Sequence, residues 1–319
     1  MKRDWHCFLA RHLWRPGKQL LALCALGLLG TNALALDPSR QLVQYHQQAF
    51  SPRGSAATEV TDVVQTADGF LWVGTSVGLY RFDGATFELM SSLGGQNILH
   101  LPVICLFASP AGGLWIGYGG GAGAGYFKGE QYVALGSDKG WSSLVSGAVD
   151  RDGTAWAVVD RRLTRVDGST KRELDSGWGL PDEAIREVAV DKKGTVWVSG
   201  TGEQDLMYLP RGARRFRWIG QHLGQGLLAT SPDGTVFASG PGGLSAVVPS
   251  AGHASKVVVI STKSFGRAFV DRDGGLIAST SAGLVHIGDA RRLLEPGGEA
   301  LLLGDALGLA REEIGRAHV

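Results

Sequence analysis

The feature that most constrains this chain is a segment that returns at nearly fixed spacing. Asp68-Gly69-Phe70-Leu71-Trp72-Val73-Gly74-Thr75 is followed by Ala111-Gly112-Gly113-Leu114-Trp115-Ile116-Gly117 and by Asp152-Gly153-Thr154-Ala155-Trp156-Ala157. Lys193-Gly194-Thr195-Val196-Trp197-Val198-Ser199 is the fourth copy. Asp233-Gly234-Thr235-Val236-Phe237-Ala238-Ser239 and Asp273-Gly274-Gly275-Leu276-Ile277-Ala278-Ser279 complete the series. The glycines Gly69, Gly112, Gly153, Gly194, Gly234 and Gly274 are separated by 43, 41, 41, 40 and 40 residues. A period of about 40–45 residues belongs to radial arrays of four-stranded sheets.

Each copy begins with a dipeptide that tolerates positive φ and so closes a tight hairpin. Counting from the key glycine, the residues two and four further on are apolar, as in Leu71 and Val73 or Val196 and Val198. The residue three further on is Trp72, Trp115, Trp156, Trp197, Phe237 and then Ile277. Alternate strand residues point to opposite faces, so this strand is apolar on both and both must be covered. A sheet between two neighbouring sheets supplies that cover. Trp72, Trp115, Trp156, Trp197 and Phe237 are therefore expected as the structural core of the repeat. A second glycine nine residues on (Gly78, Gly121, Gly243, Gly283) marks the next hairpin, and Asp83-Gly84 and Asp167-Gly168 mark a third. The expected fold is all-β: a β-propeller of four-stranded blades, of seven-bladed type, with six complete blades present.

The stretch from Asp68 to Phe87 resembles the two-component regulator propeller repeat, and Trp178-Gly179-Leu180-Pro181 resembles the Gly-Leu-Pro that leads into its blades. The resemblance extends over nearly everything after residue 40 and is weakest in the fifth and sixth copies. It implies the periplasmic sensor region of a hybrid histidine kinase or diguanylate cyclase, in which the propeller precedes a β-sandwich, a membrane helix and the cytoplasmic output domain. It also implies a homodimeric parent and an unidentified small-molecule or glycan ligand.

Residues 1–35 read as a signal peptide, with Lys2, Arg3, Arg11, Arg15 and Lys18 ahead of an apolar run from Leu20 to Gly30 and small residues Ala33 and Ala35 at the cleavage site. That run is 11 residues, short of a spanning helix. An uncleaved anchor is the alternative, because Leu34-Ala35-Leu36 prolongs the apolar stretch. Residues 36–310 are expected to form the incomplete propeller, placing it in the periplasm. Leu42-Val43-Gln44-Tyr45-His46 suits a ring-closing strand, and Leu301 to Leu309 resembles the lead-in to a seventh blade. Residues 311–319 are expected to be a non-native tail, since Glu313 to Val319 can be encoded by the start of a common sequencing adapter.

Without the first 35 residues the chain has 26 basic and 29 acidic side chains, a net charge of about −3. The balance and the lack of a basic stripe argue against nucleic acid as a partner. Cys105 would be the one remaining cysteine, expected as a small buried hydrophobe. The histidines share no repeat position, and no His-x-His, Cys-x-x-Cys or His-Glu-x-x-His spacing occurs, so neither a metal nor a cofactor is expected. Asp150-Arg151-Asp152-Gly153 and Asp271-Arg272-Asp273-Gly274 lack the spacing of a calcium loop and read as turns. Gly117 to Gly125 reads as a long hairpin rather than a phosphate cradle. Tyr118 within it, and Trp141 and Trp178 on inter-blade loops, are the ligand-binding candidates. Three functions stay open: an extracytoplasmic sensor without its output domain, a propeller enzyme resembling streptogramin lyases, and a periplasmic interaction scaffold.

Overall fold

The computed structural model describes residues 59–136, 140–168, 170–224, 226–248, 256–281 and 283–299. The chain divides into two units, residues 1–37 and 38–319, and every described residue belongs to the second. The expected signal peptide, the strand at Leu42–His46, the lead-in at Leu301–Leu309 and the tail lie outside the described residues. Among the described residues no helix is long and apolar enough to cross a membrane.

The repeats fold into successive antiparallel sheets, each a simple meander. Blade 1 comprises Val60–Gln65, Leu71–Thr75, Gly78–Phe82 and Phe87–Leu89. Blade 2 comprises Val103–Ser109, Gly113–Tyr118, Ala124–Lys128 and Gln131–Leu135. Blade 3 comprises Leu144–Val149, Ala155–Val159, Arg162–Asp167 and Thr170–Glu173. Blade 4 comprises Ile185–Val190, Val196–Gly200, Leu206–Leu209 and Arg217–Trp218. Blade 5 comprises Leu227–Thr230, Val236–Gly240, Gly243–Val248 and Lys256–Ser261. Blade 6 shows three strands among the described residues, Phe265–Val270, Leu276–Thr280 and Gly283–Ile287, followed by a 3-10 helix at Ala290–Leu294. The first strand of each blade packs on the first strand of the next, so these strands surround the axis and line its channel. The fold is a β-propeller.

The key glycines do what the repeat requires. Gly69, Gly112, Gly153, Gly194, Gly234 and Gly274 all have φ between 80° and 92°. Each donates its N–H to the carbonyl three residues earlier, from Gly69 to Thr66 and from Gly153 to Asp150, closing the hairpin between first and second strands. The glycine-rich segment is less irregular than its composition suggests. Gly117 ends inside the second strand and Gly125 lies inside the third, which leaves a short connection around Gly119–Gly123. Gly125 is needed there because a Cβ would meet the Tyr132 hydroxyl at 2.4 Å.

The aromatic three residues after each glycine is buried against the following blade. Trp72 meets Phe127 of blade 2 edge-on at 5.9 Å, and Trp115 packs with Ala155, Ala157 and Val166 of blade 3. Trp156 packs among Val188, Val196 and Val198 of blade 4, and Trp197 among Leu228, Val236 and Ala238 of blade 5. Phe237 packs among Leu276, Ala278 and Val285 of blade 6. Five apolar clusters thus fill the five interfaces between six blades. Burying one such ring removes roughly 150–250 Å² from water, worth about 4–6 kcal/mol as an upper bound.

The two end faces differ. Val60 is 56% exposed, whereas its repeat equivalents Val103, Leu144, Ile185 and Phe265 are buried. On the opposite side, Leu284 is 50% exposed and Phe269 is exposed, whereas the equivalents of Leu284 (Leu79, Leu163 and Leu244) are buried. Among the described residues, these apolar positions on the outer faces of blades 1 and 6 are left uncovered.

Candidate ligand-facing channel

One position in the first strand repeats seven residues before each key glycine: Asp62, Cys105, Ser146, Glu187, Leu227 and Arg267. In blades 1 to 4 a bulge lies just before it, where the pairing steps from Val60 to Asp62, Val103 to Cys105, Leu144 to Ser146 and Ile185 to Glu187. An extra residue re-aims the side chain that follows it. Here the re-aimed groups reach the next blade. The Leu106 N–H donates to Asp62 Oδ2 at 2.8 Å, the Val188 N–H to Ser146 Oγ at 3.1 Å, and the Leu228 N–H to Glu187 Oε2 at 2.8 Å. Leu106, Val188 and Leu228 lie on the first strand of the following blade, which is an edge strand with a sheet neighbour on one side only, and these side chains accept from its backbone N–H groups.

Arg267 extends this set across the channel. Its Nη1 donates to Glu187 Oε1 at 2.8 Å, joining blade 6 to blade 4 past blade 5. The Glu187 carboxylate is buried, whereas the Arg267 side chain is 64% exposed. Burial pushes the Glu187 carboxyl up from the ordinary carboxylate range, against the opposing pull of Arg267 and the Leu228 N–H. Asp62 is also pushed up by burial, opposed by the Leu106 and Val63 N–H groups and by Arg267. Burial pulls the Arg267 guanidinium down, but Glu187 and then Asp62 pull it up more strongly. Cys105 is buried, and its thiol is pushed up by that burial and by the Asp62 carboxylate, so it is held as the neutral thiol.

One channel mouth opens as a cavity of about 520 Å³ between blades 3, 4, 5 and 6. Its wall repeats the same register in each: Val149-Asp150-Arg151, Val190-Asp191-Lys192, Thr230-Ser231-Pro232 and Val270-Asp271-Arg272. The aspartates are committed to their own hairpins. Asp150 Oδ1 accepts from the Asp152 and Thr154 N–H groups, and its Oδ2 accepts from Trp156 Nε1 at 3.1 Å. Asp191 repeats the arrangement with Lys193, Thr195 and Trp197. Asp271 accepts from the Asp273 and Gly275 N–H groups. The sequences read as turns are turns, and in blades 3 and 4 the aspartate also anchors the indole.

Tyr118, Trp141 and Trp178 fall in three different core clusters, so the structure does not bring them together. Tyr118 is buried and its hydroxyl accepts from the Tyr132 hydroxyl at 3.0 Å. Trp141 is buried beside Trp115, ring centres 5.9 Å apart, with the Lys171 ammonium 4.7 Å from its own centre. Trp178 is half-buried on the 3-10 helix Ser176–Trp178 and lines a second cavity of about 460 Å³ with Trp156, Arg165 and Arg211. His100, His222 and His286 lie on separate loops and strands, and no group of three metal-ligating side chains occurs among the described residues. The channel position is not among the sequence-based candidates because it holds neither a histidine nor an aromatic side chain in any blade. Asp62, Glu187 and Arg267, at one position of a largely apolar strand, are the signal that marks it.

Residues 54–77 match the family model described as two component regulator propeller. No curated protein matches the chain. Among solved structures, the extracellular domain of the hybrid two component system BT4673 from B. thetaiotaomicron superposes with a TM-score of 0.60 at 21% identity, over 76% of this chain and 33% of that one. The corresponding domain of BT3049 from the same organism gives 0.57 at 17% identity, over 73% and 34%. The chain therefore spans about a third of those domains. The virginiamycin B lyase of Staphylococcus aureus, in a catalytically inactive form with quinupristin, gives 0.53 at 11% identity, over 72% and 84%. At these identities the superpositions establish the propeller fold.

Proposed function

We propose that this propeller, whose first repeat matches the two component regulator family, is the extracytoplasmic ligand-sensing region of a bacterial transmembrane receptor. The output domain, of histidine kinase or diguanylate cyclase type, lies in the parent beyond this chain, and the parent works as a homodimer. Residues 1–35 direct export to the periplasm. The observation that carries the reading is the match at residues 54–77 within a fold shared with extracellular domains of hybrid two component systems. A lyase would need His and Glu residues clustered at a channel mouth, and the scattered histidine offsets count against that alternative. The uncovered faces of blades 1 and 6 suit a propeller that continues into further repeats.

Sequencing the genomic locus through and beyond codon 319 tests the assignment. The expected result is an open frame running through more propeller repeats to a membrane helix and a kinase or cyclase domain. A stop directly after a seventh blade would replace the sensor with a lyase or a scaffold. Export is tested separately by fusing residues 1–60 to alkaline phosphatase, which is active only outside the cytoplasm. An inactive fusion would remove the periplasmic assignment.

A further inference from the structure

We propose that the cavity at the channel mouth between blades 3 and 6 binds a small organic carboxylate with an apolar body. Arg151, Lys192 and Arg272 stand at one repeat position, two residues before the key glycines of blades 3, 4 and 6. All three are exposed, and none is paired with a carboxylate among the described residues. The nearby aspartates are engaged by their own hairpins: both oxygens of Asp150 and Asp191 accept from turn N–H groups and the indoles, and Asp271 Oδ1 accepts from the Asp273 and Gly275 N–H groups. Asp152, the next acid along in blade 3, faces away to Arg211 at 2.7 Å. The wall therefore presents three cations open to pairing beside carboxylates held by their own hairpins, fully in Asp150 and Asp191 and through Oδ1 in Asp271.

Val149, Val190 and Val270 form a half-buried apolar lining two residues back along the same strands. Guanidinium groups match a carboxylate in a two-pronged geometry, and an ammonium adds a point charge. The apolar lining then favours a ligand with a hydrocarbon body over a bare inorganic anion. The volume, about 520 Å³, falls in the range of small-molecule sites. All four lining blades are present in this chain, so the site does not depend on further repeats. For its biological purpose the assignment rests on the sensing reading, but binding is measurable whatever domain the locus encodes downstream.

Trp156 and Trp197 bond to the cavity-lining Asp150 and Asp191, so intrinsic fluorescence of the full chain reports on the site. The experiment titrates hexanoate, hexanamide and inorganic phosphate at constant ionic strength. It compares wild type with Arg151→Gln/Lys192→Gln/Arg272→Gln, whose exposed substitutions preserve the melting temperature. A saturable response to hexanoate, weakened about tenfold or more in the triple variant, is expected. The proposal is overturned by no saturable response, by an equal response to hexanamide or phosphate, or by undiminished binding in the triple variant.

Discussion

Trp156 shows how one side chain serves two purposes. Its ring fills the interface between blades 3 and 4, and its Nε1–H ties that ring to the Asp150 hairpin. Trp156→Ala should cost on the order of 3–5 kcal/mol, from lost burial and the cavity left behind. A thermal melt unchanged from wild type would refute the packing role. Asp62 makes a prediction of opposite character. Burial raises its folded pKa above the unfolded value near 3.9, so its favourable contribution is complete below that pH and is lost as pH rises through the folded pKa. Asp62→Asn removes the titration. Denaturant unfolding from about pH 3 to pH 7 should show the variant gaining stability relative to wild type as pH rises. A relative loss would mean that the carboxylate is held down by its N–H partners.

At the scale of the blade, the hairpin between first and second strands is the part most legible in the sequence. The glycine spacing, the paired apolar positions and the aromatic between them dictate a strand covered on both faces, and Leu71–Thr75 and Val196–Gly200 are such strands. Local chemistry determines that hairpin, so local sequence reveals it. The bulges before Asp62, Cys105, Ser146 and Glu187 were not legible, because a bulge is fixed by pairing across strands rather than by composition. Trp141 read as a loop residue open to ligand, yet it packs on Trp115, a contact that only the stacking of strands creates. The turn glycine allows a clean test of the element. Gly153 has φ of 85° and a Cβ there would meet nothing within 4 Å, so Gly153→Ala isolates the backbone term. The expected cost is about 1–2 kcal/mol by chemical denaturation. A neutral substitution would show that the hairpin does not need the left-handed conformation.

For the whole molecule, the period announced side-by-side sheets, and the five packed interfaces deliver them. What no period reveals is which groups meet across the axis, since Glu187 and Arg267 are 80 residues apart and belong to blades that are not neighbours. Their contact exists because the blades curve about a common axis. In a linear stack, blade 5 would hold them apart. A double-mutant cycle with Glu187→Gln and Arg267→Gln at low ionic strength therefore measures the curvature directly. Glutamine at 187 keeps an acceptor for the Leu228 N–H, so the cycle isolates the pair. A favourable coupling of about 0.5–1 kcal/mol is expected, modest because the guanidinium is exposed. Strict additivity of the two substitutions, within about 0.3 kcal/mol, would contradict a ring in which blades 4 and 6 face each other across a channel.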